Sequence, residues 1–250
     1  MKPQAFDLMR NLQDTYWWYR ARKEIICDTV TRFVRPGSEL LDFGAGSGGI
    51  AKKLSAEGYK VVAADVSLDA LAACREAGLD TLDLNTTWLA ANSIDCILAS
   101  DVLEHVKDDI ELLQKLRMAL RGGGWLVATV PAYDFLWSGE DYISDHVRRY
   151  TQHVLEERVC QAGFTIKWST YINAFLLPLI VGVLLYKRLL KPREMYMSDI
   201  QPLPQWQNDL LYKIFAAERF ILRHWRFPMG ASFLVVAQSP CHRPQKPSPE

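Results

Sequence analysis

Leu40-Leu41-Asp42-Phe43-Gly44-Ala45-Gly46-Ser47-Gly48-Gly49-Ile50 decides the fold, because an apolar strand breaks there into a glycine-rich turn with a carboxylate at its lip. Glycines permit positive φ and let a ligand approach the backbone closely. The helix expected next, Ile50 to Ala56, aims its unpaired N–H groups and positive dipole end at whatever occupies the turn. Gly44-x-Gly46-x-x-Gly49 also satisfies the dinucleotide fingerprint. The turn alone therefore admits two cofactor classes, and an ordinary strand-to-helix turn besides.

Working outward, Lys60 to Ala64 reads as a buried strand ending at Asp65, Asp69 to Ala77 as a helix stopped by Gly78, and Thr81 to Leu84 as a third strand. Ser93 to Ser100 is a nearly continuous apolar strand. Asp108 to Leu120 is an amphipathic helix, capped by Gly122-Gly123-Gly124, and Trp125 to Val130 is a strand ended by Pro131. Alternating strands and helices of this length predict a doubly wound parallel sheet in an α/β fold. Thr151 to Ala162 follows as a helix with an N-cap threonine, then a strand from Phe164 to about Thr170 and another, far downstream, from Ala231 to Gln238.

The 250 residues suffice for one large domain, or one with an elaboration. Lys+Arg and Asp+Glu balance at 29 each, so no global field recruits nucleic acid. The five cysteines are scattered without a C-x-x-C pair, which argues against a disulfide framework or zinc site and for a reducing, cytoplasmic setting. Met1 to Arg10 lacks the apolar core of a secretory signal.

Charge separates the two cofactor classes. Pyrophosphate at the helix N-terminus would be repelled by Asp42, whereas S-adenosylmethionine carries a sulfonium and an ammonium group that a carboxylate favours. Leu40 to Gly48 resembles the first motif of the class I S-adenosylmethionine-dependent methyltransferases, apolar-apolar-acid-apolar-Gly-x-Gly-x-Gly. The resemblance implies a mainly parallel seven-stranded Rossmann-like sheet whose last two strands are antiparallel. It thereby makes residues 172–228 a helical insertion between them. It also implies S-adenosylmethionine as cofactor, with Asp42, Gly44 and Gly46 lining its site. The domain plan is then an aromatic helical lid (1–36), a methyltransferase domain (37–171 and 229–238), the insertion (172–228) and a proline-rich disordered tail (239–250).

Asp65, at a strand end, suits a ribose diol, although a helix-capping acid is the other reading. The resemblance puts adenine contacts near Leu84. Ile97 to Val106 resembles the fourth motif of the small-molecule branch, in which Ser100 and a Leu-Glu-His turn line the cofactor's methionine part. Asp101-x-x-Glu104-His105 is similar to the divalent-ion group of ubiquinone-pathway O-methyltransferases; structural roles are preferred for Glu104 and His105, and no metal is expected. Relatives also fold an N-terminal Trp-Trp segment over the cleft, which implies that Trp17 and Trp18 cover it and that Arg22 meets the methionine carboxylate.

The loop from Pro131 to Thr151 opens on the acceptor side. Within it His146 is the candidate base, Arg148 and Arg149 are candidates for an anionic acceptor, and Tyr133 lines the acceptor site. Loop-anchoring ion pairs are the other reading of the two arginines.

In the insertion, Ala174 to Leu185 is strongly apolar and is followed by Lys187, Arg188 and Lys191. One crossing of a bilayer would separate strands that must pair, and the return segment, Gln207 to Trp225, carries too many charges to cross. A monotopic hairpin is expected instead: an apolar segment dipping into one leaflet beside an amphipathic helix of Leu210, Leu211, Ile214, Phe215, Ile221, Leu222 and Trp225. A cap over a pocket, or a dimer interface, is the alternative. The sequence thus points to methyl transfer onto a lipid-linked or amphipathic small molecule at the cytoplasmic face of the inner membrane, with a peripheral attachment. A nicotinamide-dependent oxidoreductase and a non-catalytic membrane-associated module are the competing readings.

Overall fold

The computed structural model describes residues 10–191 and 196–241. Five parallel strands form most of the sheet: β1 (Glu39–Phe43), β2 (Lys60–Asp65), β3 (Asp80–Asp83), β4 (Ile94–Ser100) and β5 (Leu120–Pro131). Two further strands, β6 (Thr165–Ile172) and β7 (Ser232–Gln238), complete it in the order β3-β2-β1-β4-β5-β7-β6. β7 runs antiparallel to both its neighbours, in the arrangement that the methyltransferase resemblance implies.

The inner strands are buried on both faces, so they read as unbroken apolar runs rather than alternating ones. One face packs on α1 (Trp17–Phe33), α2 (Gly49–Ala56) and α3 (Leu68–Glu76), through Ala21, Ile25, Leu54 and Cys74 among others. The other packs on α4 (Asp109–Ala119) and α6 (Gln152–Gln161), through Leu113, Leu116, Leu155 and Val159. Between these, α5 (Gly139–Ile143) lies in the loop after β5.

The glycine triplet departs from expectation. α4 ends at Ala119 and β5 begins at Leu120, so Gly122 to Gly124 lie within the strand, where the register with β4 slips between Ile94 and Cys96. Gly124 is required there: a Cβ would stand 2.9 Å from the carbonyl oxygen of Arg121. Ser239, which composition put in the disordered tail, is bonded both ways to this segment, its N–H to Gly124 O and its carbonyl to Gly123 N–H. Residues 242–250 lie outside the described part of the chain.

The insertion holds two helices, α7 (Leu177–Leu190) and α8 (Gln205–Leu222), that go to different places. α7 rises from the carboxyl end of β6 and rests Leu177 and Leu184 on Leu136, beside Tyr133 and Ala231. α8 packs along α1 instead of beside α7, with Phe215, Ala216 and Leu222 buried. This corrects the expected hairpin. The middle of the expected stripe, Leu211, Ile214, Phe215 and Leu222, is taken up by α1 and the sheet while Leu210 and Trp225 stay exposed, and Asn208 ties the two helices by accepting from Trp17 N–H and donating to Thr15 O. No helix among the described residues is long and apolar enough to cross a membrane.

Candidate active site

Strand order reverses between β1 and β4, and in open α/β sheets the crevice at that reversal, outside the carboxyl ends of the strands, receives the ligand. The glycine turn after β1 forms one wall. Gly44, Gly46 and Gly48 have φ of 75°, 55° and 77°, and a Cβ on Gly44 would lie 2.6 Å from Val102 Cγ2. Only glycine fits there. Asp65, at the end of β2, accepts from Gly46 N–H (3.0 Å) and Ser67 N–H (2.8 Å), so it shapes the turn while keeping lone pairs for a diol. Leu84 stands just past β3, its N–H bonded to Asp65 O.

Asp42 is not at the lip of the turn. It is an internal residue of β1, 2% exposed, where it accepts from Ala51 N–H and so caps the start of α2 from below. Burial lifts its carboxyl pKa to about 7 against that opposing hydrogen bond.

The opposite wall comes from the ends of β4 and β5. Arg22 reaches it from α1: its Nη2 donates to Ser100 Oγ (2.6 Å) and Thr129 Oγ1 (2.8 Å) and pairs with Asp101 Oδ2 (2.6 Å). Its Nε is buried with no partner among the described residues, and its guanidinium lies 5.0 Å from the Trp18 ring. Trp17 turns instead to an edge contact with Phe215, so only Trp18 joins Arg22. Asp101 itself adopts φ 54°, a left-handed conformation that an acidic residue tolerates better than most.

Beyond this wall lies the 3-10 turn Leu103–His105. Glu104 is fully buried, and among the described residues neither of its carboxylate oxygens has a hydrogen-bond partner. Burial first, and the charge of Asp101 second, push its pKa well above the usual carboxylate range. His105 lies ring against ring with His146 at 4.7 Å, and burial followed by the neighbouring His146 lowers its pKa to about 4. His146 presents Nε2 to Glu104 Oε1 at 4.0 Å while its Nδ1 sits 2.8 Å from Asp141. The ion-binding trio that the resemblance implied is not assembled, because Asp101 is turned to Arg22. Glu104, His105 and His146 converge instead, with ligand atoms within 4.8 Å of one another.

Two further expectations change. Arg148 is bound to Asp109 and Lys107 O, and Arg149 to Asp141 and Ala132 O. Both guanidinium groups anchor the loop, and neither is left for an anionic acceptor. Tyr133 is stacked between Phe135 (5.2 Å) and Tyr171 (5.1 Å), at the foot of α7. Sequence reasoning missed Asp141, Thr129 and Glu218. Asp141 had a visible signal, since Ser138-Gly-Glu-Asp141 is a capping-box spacing and the box forms.

A family model described as a methyltransferase domain, Methyltransf_23, matches residues 17–167. The chain belongs to this methyltransferase family. S-adenosylmethionine is accordingly its cofactor, and the nicotinamide reading falls. Among sequence relatives, a 37.1 kDa transposon-encoded protein of Streptomyces fradiae is 34% identical over 56% of this chain and 43% of its own length. A ubiquinone biosynthesis O-methyltransferase of Parvibaculum lavamentivorans is 28% identical over 57% of this chain and 65% of its own. The matches thus span about half to two thirds of those relatives' lengths. In three dimensions the chain is similar to a methyltransferase solved with the Haloferax volcanii Trm112 activator, at TM-score 0.63 and 16% identity, covering 97% of each chain. That likeness establishes the fold.

The residues fit the cofactor. The glycine turn admits close backbone approach, Asp65 offers acceptors to a diol, and the orphaned Nε of Arg22 faces the need of a carboxylate for a planar donor.

Proposed function

We propose that this methyltransferase modifies a neutral hydroxyl group on an amphipathic, membrane-dispersed small molecule, working as a peripheral protein at the cytoplasmic membrane face. The observation that carries the reading is the outer surface of α7. Leu179, Val183, Leu185, Tyr186, Leu189 and Leu190 are exposed along it, and Phe135 is exposed beside it, at the acceptor edge of the crevice. Such a contiguous apolar surface marks an interaction site, and a 14-residue helix is long enough to lie in an interface but not to span a bilayer. Arg188 holds α7 against the acceptor loop by donating to Phe135 O and Trp137 O.

A neutral acceptor agrees with the charge inventory. Arg22, Arg148 and Arg149 all face acidic partners, so the described part of the crevice offers no free guanidinium for a phosphate or carboxylate acceptor. The likeness to a ubiquinone biosynthesis O-methyltransferase supports an oxygen as the atom methylated.

S-adenosylmethionine supplies an electrophilic methyl group on sulfur. His146 Nε2 would take the proton of the acceptor hydroxyl, which readies that oxygen for the methyl group the cofactor would supply. Arg22 would orient the cofactor's carboxylate, and the buried Glu104 and Leu103, with the half-buried His105, keep bulk water from the reacting atoms. The test is incubation of the protein with methyl-labelled S-adenosylmethionine and a bacterial membrane extract, followed by solvent partition. Label in the organic phase, reduced by the double change Leu189→Glu and Leu190→Glu when the acceptor is in vesicles, is expected; label confined to water-soluble products would overturn the reading.

A further inference from the structure

We propose that Asp141 is a positioning residue that fixes the tautomer of His146, so that the imidazole presents a bare Nε2 to the acceptor. The inference rests on the reading of His146 as proton acceptor and adds a second residue to it. Asp141 is fully buried in α5, and its carboxylate is saturated. Oδ1 accepts from His146 Nδ1 (2.8 Å) and Arg149 Nε (2.8 Å), while Oδ2 accepts from Arg149 Nη2 (2.7 Å) and Ser138 N–H (2.7 Å). Four bonds fill the four lone-pair sites of a carboxylate, which leaves it no freedom to rotate.

Arg149 grips both oxygens of this carboxylate, Nε at 2.8 Å from Oδ1 and Nη2 at 2.7 Å from Oδ2, and a guanidinium fork of this kind pairs with the ionised form. An ionised carboxylate only accepts, so Nδ1 must carry the hydrogen. Nε2 is then the lone-pair nitrogen, and it lies 4.0 Å from Glu104 Oε1 with the His105 ring against its own. A second bond from the main chain, His146 N–H to Asp141 O (2.9 Å), holds the backbones of the two residues in register. Arg149 completes the assembly by neutralising Asp141, so that the buried dyad carries no net charge of its own.

Nitrogen-15 NMR of histidine-labelled protein tests this, with His146→Gln assigning the His146 signals among the five histidines. The wild type is expected to show His146 protonated on Nδ1 and bare on Nε2. In Asp141→Asn the amide donates toward the ring and the tautomer reverses, while methyl incorporation into the organic extract falls on the order of 10²- to 10⁴-fold. S-adenosylhomocysteine affinity stays within about twofold. Ser138→Ala removes the side-chain capping bond of α5 but keeps the Asp141–His146 and Asp141–Arg149 bonds, so it should leave the tautomer as in the wild type; a merely structural role for Asp141 would make the two variants alike. A wild-type His146 protonated on Nε2 overturns the proposal even if the variants do not fold. If the tautomer reverses as expected but His146→Gln retains full methyl transfer, the positioning stands and the assignment of the base fails.

Discussion

Replacing Arg22 by lysine separates the arginine's grip on the cofactor from its ion pair. In the free protein Nη2 alone serves Ser100, Thr129 and Asp101, and the buried Nε has no partner among the described residues. Lysine retains a positive charge beside Asp101 but has no planar fork, so one charge-assisted hydrogen bond to the cofactor's carboxylate is lost. Such a bond is worth about 1.5–3 kcal/mol, which corresponds to roughly 10- to 150-fold in Kd. Isothermal titration with S-adenosylhomocysteine measures the loss, and adenosine, which lacks the amino-acid part, serves as the control ligand. The arginine reading requires that the loss appear with S-adenosylhomocysteine and vanish with adenosine. An equal loss with both ligands would refute it, because the substitution would then be acting through the shape of the crevice.

Three other outcomes follow from the geometry. Glu218 is fully buried and accepts from the N–H groups of Asn173 and Phe175, where β6 turns into α7; burial lifts its pKa from 4.5 to about 7 against those bonds. The folded state therefore retains a proton that the unfolded chain releases, so this group's contribution is present below about pH 4.5 and is lost as pH rises toward 7, at about 3 kcal/mol in all. Glu218→Gln lacks that slope: urea unfolding at pH 5 and pH 8 should show the gap between the two proteins moving about 2–3 kcal/mol in favour of the variant, and a constant gap would contradict the assignment. Gly44→Ala puts a Cβ into Val102 at positive φ and should abolish S-adenosylhomocysteine binding while lowering Tm, whereas Gly37→Ala, at φ 84° with open space around it, should lower Tm alone. Dialysis against a chelator should leave methyl transfer intact and added Zn²⁺ should inhibit it by occupying His146 with Glu104 and His105; activity lost on chelation and restored by Mg²⁺ would reverse that expectation.

The parts of this molecule legible from sequence are those governed by local rules. The glycine turn, the strand ends at Asp65 and Ser100, and the N-cap at Thr151 were readable because steric permission, periodicity and capping act over a few residues. Gly122 to Gly124 misled because glycines after a helix usually cap it, while here the sheet's register with β4 overrides the local preference. Arg148 and Arg149 stayed ambiguous because their partners, Asp109 and Asp141, lie 39 and 8 residues away and are chosen by tertiary packing. For the same reason periodicity identified the apolar stripe of α8, but not α1 as the surface that covers it.

β7 has one further consequence, which concerns the order in which the sheet is made. It lies between β5 and β6, yet among the described residues it is the last strand, and the insertion precedes it. β6 pairs with no other strand among the described residues, so a growing chain that has passed α8 still carries an open edge on β5 and an unpaired β6, both bearing apolar side chains. Pairing then closes two ladders at once and demands that both ends of the insertion meet, where Ala231 N–H bonds to Asn173 O. Folding of this half is thereby made late and all-or-none, and the period before β7 emerges is when the chain is most exposed to aggregation and most in need of a chaperone.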